Sequence, residues 1–400
     1  MTAATSHLTD ERLAVQATAR RFAMQEVLPL ANELDSKKAD IPREFLRRIG
    51  AMGYFGVMIG REHGGMGLGV FEYALITEEL ARGWMSVASI IARGNGMGTQ
   101  VSDPARRAEL LRRSAAGEWI GAAALSEAGA GSDLANVQCR AIREGGEYVI
   151  SGEKRWCGNA LAADFIMLLA RTGEPGEGQS RGRGIDSFLI EKERDRFPAG
   201  LTGTPIDKIG YFGITTYNLT FDGLRAPADA LLGGRGNDAT HTPRAPGRAF
   251  NATLHGLNIA RIHTAARAIG LARGSLEDSL TYAQERVQFG RPIGEFQAIR
   301  FKLADMATQI EASRALMYQV AERCDAGEPI EKEAAMAKLF ATEMAERVTG
   351  DGIQIHGGNG YTTERSVERY WRDARLTTIF EGTSEIQRVI ISDRLLGRKR

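Results

Sequence analysis

The sequence predicts an α+β chain with three parts: an N-terminal helical domain over residues 1–118, a central β-domain over 119–232 and a C-terminal four-helix bundle within 233–400. Two contrasts carry that prediction. Apolar residues recur at helical spacing before residue 118 and again after 251. Between them, short β-branched and aromatic runs alternate with glycine turns.

In the first part, Leu13, Ala17, Phe22 and Val27 trace one helical stripe that ends near Pro29, and Pro42 opens a second helix over 43–52. The stretch EHGGMGLG (62–69) is dense in glycine but lacks the Lys-Ser/Thr of a phosphate loop, so it reads as a turn. Further helices are expected over 71–82 and 103–116. The β-runs are 148–150, 165–170, 187–190 and 218–221, with Gly145-Gly146 suited to a hairpin. Residues 173–184 read as a surface loop, and 233–247 mark the return to helix. One apolar stripe then runs Leu254, Leu257, Ile262, Ala265, Ile269, and another Ile299, Leu303, Met306, Ile310, Leu316. Gly327 and Pro329 separate a third helix over 331–349, and a fourth runs over 384–396, which together read as a bundle.

Composition narrows the classes. Fifty-one basic residues against 50 acidic ones imply no general attraction to nucleic acid or anionic membrane. No apolar run reaches membrane-helix length, and the N-terminus has no apolar core of a signal peptide. Cys139, Cys157 and Cys324 lie far apart and show no metal-ligand spacing, so no metal site and a reduced, cytoplasmic compartment are expected.

The stretch QIHGGNGYTTERSVERYWRDARLTTIFEGTSEIQR (354–388) carries the chemistry. Glu381 lies between Ile379-Phe380 and Gly382, and a carboxylate among apolar neighbours is a candidate base with a raised pKa. Gly382 would let a ligand approach the backbone. On spacing alone, a surface glutamate at the start of the last helix, capped by Thr383 or Ser384, is the simpler reading.

The whole string changes that balance, because FEGTSEIQ resembles the C-terminal signature of the acyl-CoA dehydrogenases. Three further stretches resemble the same family in the same order: LSEAGAGSD (125–133), KRWCGN (154–159) and ERVQFGRPIGEFQA (285–298). The resemblance implies FAD as cofactor and an acyl thioester, on coenzyme A or an acyl carrier protein, as substrate. Ala123, Leu125, Ser126, Gly131 and Ser132 would contact the flavin ring, with Ser132 at the thioester's edge. Trp156, Cys157 and Gly158 would complete that side. Arg286, Gln288, Phe289, Gln297, Gln354, Gly357 and Gly358 would reach an FAD held mainly by an adjacent subunit, and Thr383 and Glu385 would contact FAD on the other side.

Glu381 would be the base. Arg261 matches an arginine beside the glutamate, and Ala260, where some relatives carry their base, cannot take a proton. Asn258, Arg261, Gly382 and Ser132 would meet the substrate. Gly158 replaces the usual hydroxyl residue near flavin N5, and the 233–250 link is longer than usual; these departures bear on flavin tuning and on the acyl group. The implied reaction is α,β-dehydrogenation of the acyl thioester, with electrons passed to an electron-transferring flavoprotein, by a homotetramer. The alternatives are an oxidase or monooxygenase of the same fold using O₂, and a flavin-binding protein without this chemistry.

Overall fold

The computed structural model describes residues 7–95, 101–177, 180–232 and 248–398, with side chains of 248–255 excepted. The chain begins with α1 (Asp10–Phe22) and α2 (Leu28–Leu34), joined by a π-helical turn, Ala23–Val27. Helix therefore continues through Pro29 instead of ending before it. Pro29 brings no N–H, and the widened turn just before it absorbs the missing donor. The helices α3 (Arg43–Ala51), α4 (Val70–Gly83), α5 (Met85–Ile90) and α6 (Pro104–Ala115) follow, with Asp103 capping α6 by accepting from Arg106 N–H.

The middle region is a seven-stranded sheet: β1 (Gly121–Ala124), β2 (Arg140–Glu144), β3 (Glu147–Gly158), β4 (Phe165–Arg171), β5 (Ile185–Glu191), β6 (Leu201–Pro205) and β7 (Thr216–Pro227). Strands β2 and β3 form the expected hairpin, with Gly145 at φ +61° in its turn. Strand β3 pairs antiparallel with β7, and the register slips between Lys154 and Cys157. That bulge places Trp156 in a left-handed conformation, φ +59°, with the ring 53% exposed.

The C-terminal region holds α7 (Arg248–Glu285), a two-stranded ribbon of β8 (Val287–Gln288) and β9 (Arg291–Pro292), α8 (Gln297–Asp325), α9 (Glu331–His356), α10 (Val367–Thr377) and α11 (Ser384–Leu395). Helix α9 extends past the expected end at residue 349 and keeps Gly350 and Gly352 inside it. A Cβ at Gly352 would lie 1.9 Å from Ser275 Oγ, so the glycine is what lets α9 approach α7. Tertiary packing overrides the local preference to break.

Residues of the first and third regions share one hydrophobic core. It runs from Ala19 and Phe22 through α4 to Ile262, Ile269, Met306 and Val348. Helix α4 is buried along nearly its whole length, which explains its lack of a polar face. The sheet has its own core around Ile150, Leu168, Phe188 and Phe221. No helix among the described residues is long and apolar enough to cross a membrane.

Candidate active site

Glu381 sits in the short connection between α10 and α11, with φ +54°, followed by Gly382 at φ +89°. A non-glycine residue in the left-handed region is uncommon and is held only where neighbours over-determine it. Here they do. The Gly382 carbonyl accepts from Lys338 Nζ at 2.8 Å and from Gln387 Nε2 at 2.8 Å, and both donors are fully buried. Thr383 caps α11 by accepting from Ile386 N–H. The simpler sequence reading was therefore right about the cap, while the residue two places before it is turned inward.

The carboxylate meets α7. Arg267 donates to Glu381 Oε1 at 2.7 Å, and Thr264 Oγ1–H donates to Oε2. Arg267 also donates to Thr264 Oγ1 at 2.8 Å and to Ser89 Oγ at 2.9 Å, and its guanidinium lies 4.5 Å from the centre of the Phe380 ring. The arginine is 2% exposed, whereas the glutamate side chain keeps 29% of its surface open. Thr264 and Arg267 lie four and seven residues after Ala260, so they share one face of α7.

This geometry corrects the expected raised pKa. Burial pushes the Glu381 carboxyl up, but the Arg267 charge and the donated hydrogen bonds more than offset it, and the group lies below the ordinary carboxylate value. It is ionised at neutral pH. His263 stands next to this pair, stacked on Tyr73 at 4.9 Å, and its Nε2–H donates to the Ala88 carbonyl at 2.9 Å. Burial, then the Arg267 charge, push the imidazole down to about 3, so it is neutral. Burial likewise pushes Lys338 down to about 8.

Arg261 donates to Asn258 Oδ1 at 2.5 Å, one turn away on α7. The arginine that pairs with Glu381 is Arg267. The sequence carried one signal for it: a charged residue in the middle of the apolar RIHTAARAIGLA run needs a buried partner. Ser89, His263, Thr264 and Lys338 were missed with it.

The remaining candidates fall into two groups. The first lies on the sheet. Ala123 is in β1, Leu125 and Ser126 follow it, and Trp156, Cys157 and Gly158 end β3. They are tied together by Arg155 N–H to the Ser126 carbonyl at 2.8 Å and by Lys154 Nζ to the Leu125 carbonyl at 2.9 Å. Lys154 also pairs with Glu127 at 2.8 Å, and Glu127 accepts from the N–H groups of Gln138 and Cys139. These bonds fix the loop; Gly131 and Ser132 at its tip are exposed.

The second group is an exposed rim. Arg286, Gln288, Phe289 and Gln297 flank the β8–β9 ribbon, and Gln354, Gly357 and Gly358 end α9. Tyr282 stacks on His356 at 4.3 Å and joins the two segments. Phe289 is 94% exposed, and Arg286 makes no ion pair among the described residues. Among the described residues, no hydrogen bond or ion pair joins this rim directly to Glu381. Thr383 and Glu385 line a separate surface cleft of about 470 Å³ with Glu343, Arg347 and Arg375. The 233–247 part of the long link lies outside the described residues.

Exposed aromatic rings at Trp156 and Phe289, an arginine without an acid partner and a fixed backbone loop fit a flat, phosphate-bearing flavin. These features are those expected of a flavoprotein oxidoreductase. Comparison with known proteins agrees along the whole chain. The N-terminal, middle and C-terminal domain models of the acyl-CoA dehydrogenases match residues 9–118, 122–224 and 247–396. Benzylmalonyl-CoA dehydrogenase of Aromatoleum aromaticum is 39% identical over 390 residues, covering 96% of this chain and 98% of that one. The structure of butyryl-CoA dehydrogenase from Megasphaera elsdenii superposes with a TM-score of 0.86 at 32% identity, covering 97% and 99%. A glutaryl-CoA dehydrogenase from Mycobacterium smegmatis in complex with FADH2 gives 0.88 at 26% identity, covering 100% and 97%. The chain belongs to the acyl-CoA dehydrogenase family, whose members are FAD-dependent.

Gly382→Ala tests the turn. Its φ of +89° strains any side chain, and the new methyl would lie 2.6 Å from Gln387 Nε2. The expected loss is about 1 kcal/mol or more of stability, with turnover falling further because Glu381 is displaced. Thermal melting and steady-state rates on one sample read both.

Proposed function

We propose that the protein desaturates an acyl-CoA thioester between its α and β carbons, with Glu381 as the base. One observation carries the reading: the same residue offers an ionised carboxylate and a backbone N–H with no acceptor among the described residues. The N–H can donate to the thioester carbonyl while the carboxylate takes the α-proton. The charge developing on that oxygen is then met by a fixed donor, worth about 3 kcal/mol in comparable sites. Bound FAD would supply the acceptor for the β-hydrogen and its electron pair, so that the substrate would lose one proton and one hydride and gain a double bond.

Ala123, Leu125, Ser126, Ser132, Trp156 and Gly158 would hold the flavin ring, and Thr383 and Glu385 its other side. Gly158 presents backbone only. Arg286 and Gln297 would bind the pyrophosphate of a neighbouring subunit's FAD, with Gln288, Phe289, Gln354, Gly357 and Gly358 around it. Ser132, Asn258, Arg261 and Gly382 would meet the substrate. An electron-transferring flavoprotein would accept the electrons, and the assembly would be a homotetramer. The relatives' names include an uncharged butyryl group and acyl groups with a second carboxylate, so membership of the family leaves the acyl group open.

Anaerobic titration of the flavoprotein with a panel of acyl-CoA thioesters tests the reading. Bleaching of the flavin by at least one of them is expected, and full retention of the oxidised spectrum with all would overturn it.

The shared site has its own test. FAD that binds only the assembly stabilises it by RT ln(1 + [L]/Kd), about 2.7 kcal/mol at a hundredfold excess over Kd. Arg286→Ala should lower flavin content, melting temperature and oligomer fraction together, with excess FAD restoring them. Sizing chromatography followed at flavin wavelengths checks this, and a monomer holding stoichiometric FAD would contradict it.

A further inference from the structure

Arg93 closes a short 3-10 turn, Ile91–Arg93, that continues α5. The turn is pinned from behind. Buried Asn95 donates to the Tyr54 and Ile91 carbonyls and accepts from Met58 N–H, so Arg93 stands on a rigid element and not on a free loop. It lies one turn beyond Ser89, the residue that holds Arg267 and through it Glu381. On its other side, a Cβ built on Gly158 would lie 3.5 Å from an Arg93 terminal nitrogen. Arg93 thus lies in the space beside the end of β3, on the segment that continues from Ser89. Its charge is felt by Cys157, Tyr73 and His263, which border the same space.

No acid among the described residues answers that charge. Arg93 makes no hydrogen bond or ion pair among the described residues. Glu381, the carboxylate of this site, is already held by Arg267 and Thr264, and His263 is neutral. Among the described residues, no protein carboxylate neutralises the Arg93 charge. A hydrocarbon tail gains nothing from a guanidinium and would strip water from it, which is unfavourable. A carboxylate matches it with paired hydrogen bonds.

We propose that Arg93 selects an acyl-CoA whose acyl group carries a second, distal carboxylate: the substrate class is the thioester of a short dicarboxylic acid. This rests on the desaturation reading above and narrows it. Arg93 binds the far end of the acyl group, while Glu381 addresses the carbon beside the thioester. Gly158 gives room for this, because Ile214 and Arg93 already sit 3.4 and 3.5 Å from where its Cβ would be. A branched hydroxyl residue there would take up the space beside the arginine.

The test compares matched pairs on the flavoprotein as isolated: succinyl-, glutaryl- and adipyl-CoA against butyryl-, pentanoyl- and hexanoyl-CoA. Dissociation constants come from the perturbed flavin spectrum, and kcat/KM from flavin reduction. The parent should favour at least one dicarboxylic thioester over its uncharged counterpart by about tenfold or more, the scale of a hydrogen bond to a charged group. In Arg93→Gln that ratio should collapse toward one, with Arg93→Lys between the two. A parent that prefers the uncharged series would overturn the proposal. So would an Arg93→Gln variant that weakens both series equally, the mark of a structural defect. If no thioester of either series perturbs or reduces the flavin, the desaturation reading itself fails, a result distinct from reduction without preference.

Discussion

Glu381→Gln keeps its FAD, its fold and its affinity for the thioester, and loses turnover by about 10²- to 10⁴-fold, the usual range for removing a positioned general base. The amide nearly matches the carboxylate in shape and still accepts from Arg267, but it cannot take a proton. Ala260 offers no substitute on the facing helix. Rapid mixing with substrate under anaerobic conditions isolates the step, because flavin reduction then reports C–H cleavage without reoxidation. A variant reducing its flavin within a few-fold of the parent rate would remove Glu381 from the role.

Arg267→Gln has a different signature. The parent base lies below the ordinary carboxylate range because Arg267 offsets the cost of burial. Without that charge, desolvation acts unopposed and the Glu381 pKa rises. Glu381 works only when ionised, so the variant should show an acid limb in its pH–rate profile that the parent lacks at neutral pH, and should recover activity as pH rises. The effect on stability has the matching sign. In the parent, the depressed pKa contributes stability above the unfolded carboxylate value, lost as pH falls through the folded one. In the variant, that contribution is gone and an uncompensated carboxylate remains, at a cost of about 3 kcal/mol, the low end for one broken buried pair because Glu381 stays partly open. Urea melts at several pH values read it, and a profile superposable on the parent's would show that Arg267 does not set the base.

The three-part architecture was legible in the sequence because each part has its own periodicity. Helix α4 lies within a residue of its expected bounds and the hairpin turn falls at Gly145-Gly146 as expected, while β3 runs on to Gly158, well past the expected 150, and β2 was not expected as a strand. The departures have physical causes. Pro29 sits inside helix because a π-helical turn precedes it, and α9 runs on past residue 349 because Gly352 packs against Ser275. Motifs contiguous in sequence marked Glu381 and the loop at 125–132, but its controlling partners are distant. Ser89 is brought in by α5, Thr264 and Arg267 by α7, and Lys338 by α9. No local spacing links them to residue 381. The expectation of a raised pKa failed for that reason, since it counted the apolar neighbours in sequence and not the arginine in space.

The central claim, that Glu381 removes the α-proton, is tested most directly without any redox step. An acyl-CoA in which sulfur replaces the β-CH₂ cannot give up a hydride, yet its α-hydrogens remain acidic. Incubated with the flavoprotein in deuterium oxide, it should exchange α-hydrogen for deuterium, read by mass spectrometry. Catalysed exchange by the parent that disappears in Glu381→Gln is the result expected. Equal exchange by parent and variant would contradict the account.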